Sequence, residues 1–170
     1  MHLEGSCHCG KVKFTVESAE PVPFMRCYCS ICRKTAGGGG YAINLSAVAT
    51  TLDVTGGEDH GLWHAQVEEP DANGVYRLQA SPAERHFCRT CASALWLFDP
   101  RWPELLHPFA SAIDTPLPAA PESVHIMLAS KAPWVQVEGR PGDPRFDEYP
   151  DMSLREWHEA KGLRSPGGEE

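Results

Sequence analysis

The chain has 170 residues, enough for one domain with a proper buried core. A formal net charge of −8 argues against nonspecific nucleic-acid binding, which relies on cationic surface, and no apolar run reaches the roughly 20 residues needed to span a bilayer. Fifteen glycines and fifteen prolines favour short strands and frequent turns over long helices.

The start, Met1-His2-Leu3-Glu4-Gly5, has no basic n-region and no apolar h-region, so no secretory leader is expected and a cytoplasmic location is. Cys7 and Cys9 follow, and their side chains point the same way if the chain is already extended there. Gly10 to Ser18 alternates, with Val12, Phe14 and Val16 on one face and Lys11, Lys13, Thr15 and Glu17 on the other, which predicts a half-buried strand. Pro21 and Pro23 break the pattern and are expected to deliver Cys27, Cys29 and Cys32 on a loop. Gly37 to Gly40 reads either as a plain connector or as backbone able to approach a ligand closely.

Tyr41, Ile43 and Leu45 mark a second strand, and Thr50 to Thr55 a third, ended by Gly56-Gly57. Leu62 to Val67 and Val75 to Gln79 predict two strands around the loop Glu68 to Gly74, where Asn73-Gly74 is a strong turn signal. Ala94 to Phe98 and Val124 to Ala129 are further apolar strands, and the proline-rich stretch Asp99 to Pro121 is expected to be irregular. Near the end, Ser153-Leu154-Arg155-Glu156 matches a capping box, Gly162 is a stop, and Leu154, Trp157 and His158 are expected to face the domain. The residues after Leu163 are expected to fray.

The chemistry concentrates in seven cysteines, in three clusters: Cys7 and Cys9; Cys27, Cys29 and Cys32; Cys88 and Cys91. Zinc prefers four soft or borderline ligands at tetrahedral corners, so seven thiols divide into a closed four-thiolate site and an open three-thiolate one. A disulfide framework fits poorly, because the count is odd and disulfides are rare in a reducing cytosol. A thioredoxin-like redox pair fits no better, since no βαβ pattern surrounds either Cys-x-x-Cys. Spacing alone leaves open whether Cys88 and Cys91 join Cys7 and Cys9 or the middle cluster.

The motifs together resemble the glutathione-dependent formaldehyde-activating enzyme family, which includes the centromere protein V domain. The resemblance runs through Gly5-Ser6-Cys7-His8-Cys9-Gly10, Cys27-Tyr28-Cys29-Ser30-Ile31-Cys32-Arg33-Lys34 and Arg85-His86-Phe87-Cys88-Arg89-Thr90-Cys91-Ala92-Ser93. It continues through His125-Ile126 and Lys131-Ala132-Pro133-Trp134. It implies a mainly β, Mss4-like fold: a zinc-stabilised β-sandwich of short strands with a short C-terminal helix. Residues 1–140 would form the zinc-binding domain and residues 141–170 a C-terminal extension.

The resemblance also implies the partition of the ligands. Cys7, Cys9, Cys88 and Cys91 would bind a structural zinc, and Cys27, Cys29 and Cys32 a labile or catalytic one. The implied activity is that of a zinc-dependent carbon–sulfur lyase acting on a thiol adduct such as S-hydroxymethylglutathione, with a small thiol as partner and neither nucleic acid nor membrane involved. Zinc would hold the sulfur as thiolate and polarise the aldehyde oxygen. Arg33 and Lys34 are candidates to meet substrate carboxylates. Two rival functions remain in view, a noncatalytic zinc-binding interaction module and a metal-responsive protein that loads and releases zinc.

The chain departs from the family pattern at Tyr28, where a histidine is frequent, at Ala92, where glycine is usual, and in a longer stretch from Gly56 to Ala80. His8 is expected to point away from the metal and His86 to approach the four-cysteine site. His60, His64, His107, His125 and His158 lack ligand spacing and read as surface or core. Trp96 reads as core, and Trp134 is the best candidate for a pocket wall.

Overall fold

The computed structural model describes residues 1–165, in which eleven strands form three sheets. In the first sheet β1 (His2–Ser6) pairs antiparallel with β2 (Lys13–Glu17), and β2 with β6 (Asp53–Thr55). The expected alternation holds, since Val12, Phe14 and Val16 are buried. The strand itself begins at Lys13, because residues 7–12 fold back on themselves. Gly10 N–H donates to Cys7 O and Cys7 N–H to Val12 O, each at 2.9 Å, and Gly10 takes φ +75°. A turn, rather than an extended segment, therefore brings Cys7 and Cys9 together.

The second sheet runs in the order β5 (Ala47–Val48), β10 (Leu105–Pro108), β9 (Ala94–Phe98), β8 (Tyr76–Cys88), β7 (His60–Pro70). β10 lies inside the stretch expected to be irregular. Its Leu106 is fully buried, but four residues between prolines and charges carry too little pattern to be read as a strand. The hairpin of β7 and β8 is longer than expected. Its second strand, expected to end at Gln79, runs on to Cys88, because Pro82 sits where the register shifts between His64 and Gln66 and a bulge tolerates its missing N–H. The turn falls at Asn73-Gly74 as expected. Gly74 takes φ +78°, and Asp71 Oδ1 accepts from Asn73 and Val75 N–H.

In the third sheet β3 (Met25–Cys27) lies between parallel β11 (Val124–Ile126) and antiparallel β4 (Ala42–Ile43). The expected strand over Tyr41 to Leu45 thus shrinks to two residues. β3 feeds directly into helix α1 (Ser30–Thr35), so the middle cysteine cluster spans a strand end and a helix start, where a loop was expected.

The first two sheets pack face to face. Leu3, Phe14 and Val16 meet Leu95, Trp96 and Leu106, and Phe14 meets Trp96 edge-on at 5.0 Å. A second core gathers Phe24, Cys32, Phe109, Ile126 and Trp157 around the third sheet. Helix α2 (Leu154–Lys161) has the predicted capping box and a left-handed Gly162 at its end. Its Trp157 stacks on Phe24 at 3.6 Å and its His158 is buried. Before α2, residues 144–148 hydrogen-bond along residues 125–129 and extend the third sheet. Arg164 pairs with Glu20, and Ser165 N–H donates to Ala19 O, so fraying does not begin at Leu163. The rest of the expected frayed tail lies outside the described residues. No helix among the described residues is long and apolar enough to cross a membrane.

Candidate metal centres and the cleft beside them

All seven thiols are free. Cys7, Cys9, Cys88 and Cys91 converge, with their sulfurs all within 4.8 Å of one another. Cys7 and Cys9 Sγ stand 3.4 Å apart, and Cys9 and Cys88 Sγ 3.7 Å. Four thiolates around a tetrahedral zinc at about 2.3 Å would stand about 3.8 Å apart, so the donor set and spacing fit that ion. The two halves come from distant elements: the turn after β1, and the turn that links β8 to β9. Val12 N–H donates to Cys7 Sγ at 3.3 Å, and hydrogen bonds from Ser93 draw the Cys91 thiol down to about 5. Cys9 is pushed up to about 12, since the favourable Lys11 N–H is outweighed by desolvation and by the neighbouring sulfurs. Thiols this close share protons that a metal would replace.

The remaining three, Cys27, Cys29 and Cys32, form a separate group with sulfurs also within 4.8 Å of one another. Cys27 ends β3, Cys29 is the N-cap of α1, and Cys32 is the helix residue whose N–H donates to Cys29 Sγ at 3.3 Å. A sulfur here does the work usually given to a Ser or Asp side chain. Hydrogen bonds from Cys27 and Cys32 pull the Cys29 thiol down to about 2, and the same contacts push Cys27 up. The spacing again fits a metal, and among the described residues only these three candidate ligands converge. The competing partition, which mixed Cys88 and Cys91 with the middle cluster, is not what the fold assembles.

Two residues beside this group had no role assigned from sequence. Arg85 Nη2 lies 3.9 Å from Cys32 Sγ, and Asn44 Nδ2 4.0 Å from the same atom. Arg85 is part of the motif Arg85-His86-Phe87-Cys88, which gives it no role of its own. Asn44 carried no signal at all, because only the pairing of its segment with Phe109 brings it to the sulfur.

Tyr28, between two of the cysteines, points the other way. It is buried in a third core with Ala132 and Val135, and its hydroxyl meets His125 Nδ1 at 3.0 Å. His86 does not join the sulfurs as expected. Its ring is held between His60 Nε2, at 2.8 Å, and the face of Trp96, with Glu84 at 3.3 Å. Burial first, and then His60 and His64, lower it to about 4. Two more histidines are structural: His107 Nδ1 donates to Leu45 O, and His158 bridges Leu154 O and Val22 N–H. Trp134 is 69% exposed and lines neither of the two cavities beside the cysteine groups.

A cleft of about 680 Å³ opens beside the four-cysteine group and along helix α1; Cys7 borders it, and Cys27, Cys29 and Cys32 do not. Arg33, Lys34, Gly37 and Gly38 line one side, and Cys7, Ser93, Ser111 and Asp114 the other. Gly37 reconciles the two expectations for the glycine run. It lines the cleft, and it is also sterically required, since a Cβ there would meet Tyr41 O at 1.8 Å. A smaller cavity of about 190 Å³ lies beyond, bordered by Arg85, Trp63, Phe87 and Phe109, and shares Thr35 and Ala94 with the cleft.

The family model for glutathione-dependent formaldehyde-activating enzyme matches residues 2–130. The chain belongs to this family. A Halomonas elongata protein, named as a candidate glutathione-dependent formaldehyde-activating enzyme, is 60% identical over 163 residues, 96% of this chain and 98% of that one. A crystal structure of a Rhodobacter sphaeroides protein superposes with a TM-score of 0.48 at 23% identity, covering 84% of this chain and 98% of that one. Both cysteine groups of this family member lie inside the matched residues, as do Asn44 and Arg85.

Proposed function

We propose that the protein is a zinc-dependent carbon–sulfur lyase-type enzyme, forming or cleaving the bond between a small thiol and formaldehyde, with S-hydroxymethylglutathione as the favoured adduct. One observation carries this reading. In a chain of this family, a four-sulfur group that can close around a metal stands beside a three-sulfur group that leaves one position for a substrate sulfur. Zinc, when bound by Cys27, Cys29 and Cys32, supplies a setting in which a fourth sulfur stays deprotonated near neutral pH.

The chain's own residues do the rest. The buried Arg85 and the Cys32 N–H offset negative charge that the thiolates bring into the interior. The cleft falls in the size range of small-ligand sites, about 300–1,000 Å³. Arg33 and Lys34 suit the two carboxylates of glutathione, and Asp114 suits its ammonium. These local cations also counter the repulsion that a net charge of −8 exerts on an anionic ligand. In this reading residues 1–140 carry the chemistry, and the described part of the extension, residues 141–165, braces the third sheet beneath it. The protein works in the cytoplasm, where its seven free thiols stay reduced. The rival interaction module draws on one feature, the exposed Val75, Tyr76 and Leu78 on the hairpin arm.

The test is zinc per chain, followed by glutathione titration, in wild type and Cys29→Ser. Near two zinc ions in wild type and one in the variant, lost together with glutathione binding, is the expected result. One zinc in both proteins, with no thiol binding, would overturn the enzyme reading in favour of the interaction module.

A further inference from the structure

We propose that Arg85 is a catalytic residue that holds the aldehyde-derived oxygen of the adduct, in the small cavity beside the three-cysteine group. This rests on the lyase reading above.

Arg85 is only 8% exposed, and no carboxylate pairs with it among the described residues. A buried guanidinium needs a charge partner and an acceptor for each of its donors. The Cys32 sulfur, 3.9 Å from Nη2, would supply the charge as a metal-bound thiolate. Nη1 is equally buried and has no hydrogen-bond partner among the described residues, so one arm of the fork is left for something else. Asn44, which meets the same sulfur through Nδ2, leaves its Oδ1 buried with no hydrogen-bond partner among the described residues. A spare donor and a spare acceptor around one sulfur match a hydroxyl, which accepts one hydrogen bond and donates another.

The cavity that Arg85 borders adds shape to this pairing. At about 190 Å³, with Trp63, Phe87 and Phe109 as walls, it has room for a one-carbon oxygen group and little more. Thr35 and Ala94 line both this cavity and the larger cleft, so the two are neighbours. The cleft therefore takes the thiol carrier, and the cavity takes the small group that the thiol receives.

The chemistry balances without an oxidant or reductant. The thiol first releases its proton to water. Its sulfur attacks the carbonyl carbon, the S–C bond forms, and the carbonyl π pair moves onto oxygen. There the Arg85 guanidinium stabilises the developing negative charge. The oxygen then takes a proton from water, and the hydroxide left behind neutralises the proton released by the thiol. Cleavage runs the same steps backwards.

Arg85→Gln and Arg85→Lys, made in the full-length zinc-loaded protein, test the assignment. Three quantities are measured: zinc and glutathione binding, the formaldehyde–glutathione exchange rate by NMR, and the affinity for 2-mercaptoethanol relative to ethanethiol. Arg85→Gln is expected to keep zinc and glutathione binding, to lose about 100-fold in exchange rate, and to lose any preference for the hydroxyl-bearing thiol. Arg85→Lys, a point donor in place of a fork, is expected to fall about tenfold. If wild type catalyses exchange and Arg85→Gln does so equally fast with its thiol preference intact, this assignment is overturned while the lyase reading stands. A wild-type protein that neither binds glutathione nor speeds exchange sinks both. Should Arg85→Gln fail to fold, the rate of Arg85→Lys decides, and an unchanged rate overturns the role.

Discussion

Ala92 shows what one residue does to the four-cysteine knuckle. It stands where the family usually has glycine, and its backbone takes φ +60°, the left-handed region that a Cβ disfavours. Its N–H nevertheless donates to Cys88 O, so the turn that presents Cys88 and Cys91 is kept and the strain is borne in place. Ala92→Gly is expected to stabilise the protein by about 0.5–1 kcal/mol, the relief of strain exceeding the added freedom of the unfolded chain, as a denaturation midpoint would show. Tyr28 makes the opposite point. The sequence marks it as a missing imidazole beside the metal, whereas its phenol turns away to bond His125. Tyr28→Phe would leave a buried ring nitrogen unpaired and is expected to cost about 1–3 kcal/mol with zinc content unchanged, measured by urea unfolding and metal analysis.

Elements differ in how much of the molecule depends on them. β8 ends in Cys88, which is fully buried and ties the second sheet to the turn after β1 through its sulfur. Cys88→Ser is expected to lose one metal per chain and to lower the melting temperature sharply, because a bound metal's free energy is folding free energy in such sites. The outer half of the same hairpin carries no such load. Most residues from Gln66 to Ala80 are exposed, and their ladder pairs only with itself. Replacing residues 67–79 by a two-residue Asn-Gly turn is expected to leave zinc content and exchange activity unchanged and to move the melting temperature by only a few degrees. Loss of activity on this deletion would point instead to the arm as part of the site.

Across the whole molecule, stability should fall as pH drops below about 6.5, the ordinary histidine value. His107, His125 and His158 are all held below that value, burial being the main cause. A lowered histidine is neutral in the folded state while the unfolded chain takes up a proton. The stability it contributes is therefore complete above pH 6.5 and lost on acidification toward its folded value. His158 is the clearest case. Its Nε2 accepts from Val22 N–H while Nδ1 donates to Leu154 O, so a second ring proton has no acceptor. Urea unfolding at pH 7 and pH 5.5 should show a smaller pH dependence in His158→Asn, by about one proton's contribution of 1.4 kcal/mol per pH unit at most.

The sequence by itself determined the ligand chemistry, the β alternation of Lys13 to Glu17, the turn at Asn73-Gly74 and the capped helix at Ser153, because each is fixed within a few neighbouring residues. The family motifs extended that reach to the pairing of Cys7 and Cys9 with Cys88 and Cys91. Local pattern failed where pairing overrides propensity: in β10, in the hairpin running past Pro82, and in Cys29 serving as a helix cap. Only the tertiary structure decided what surrounds Cys32. Asn44 and Arg85 come from segments far apart in the chain, and their meeting at one sulfur is a property of how the sheets pack, which spacing along the chain does not encode.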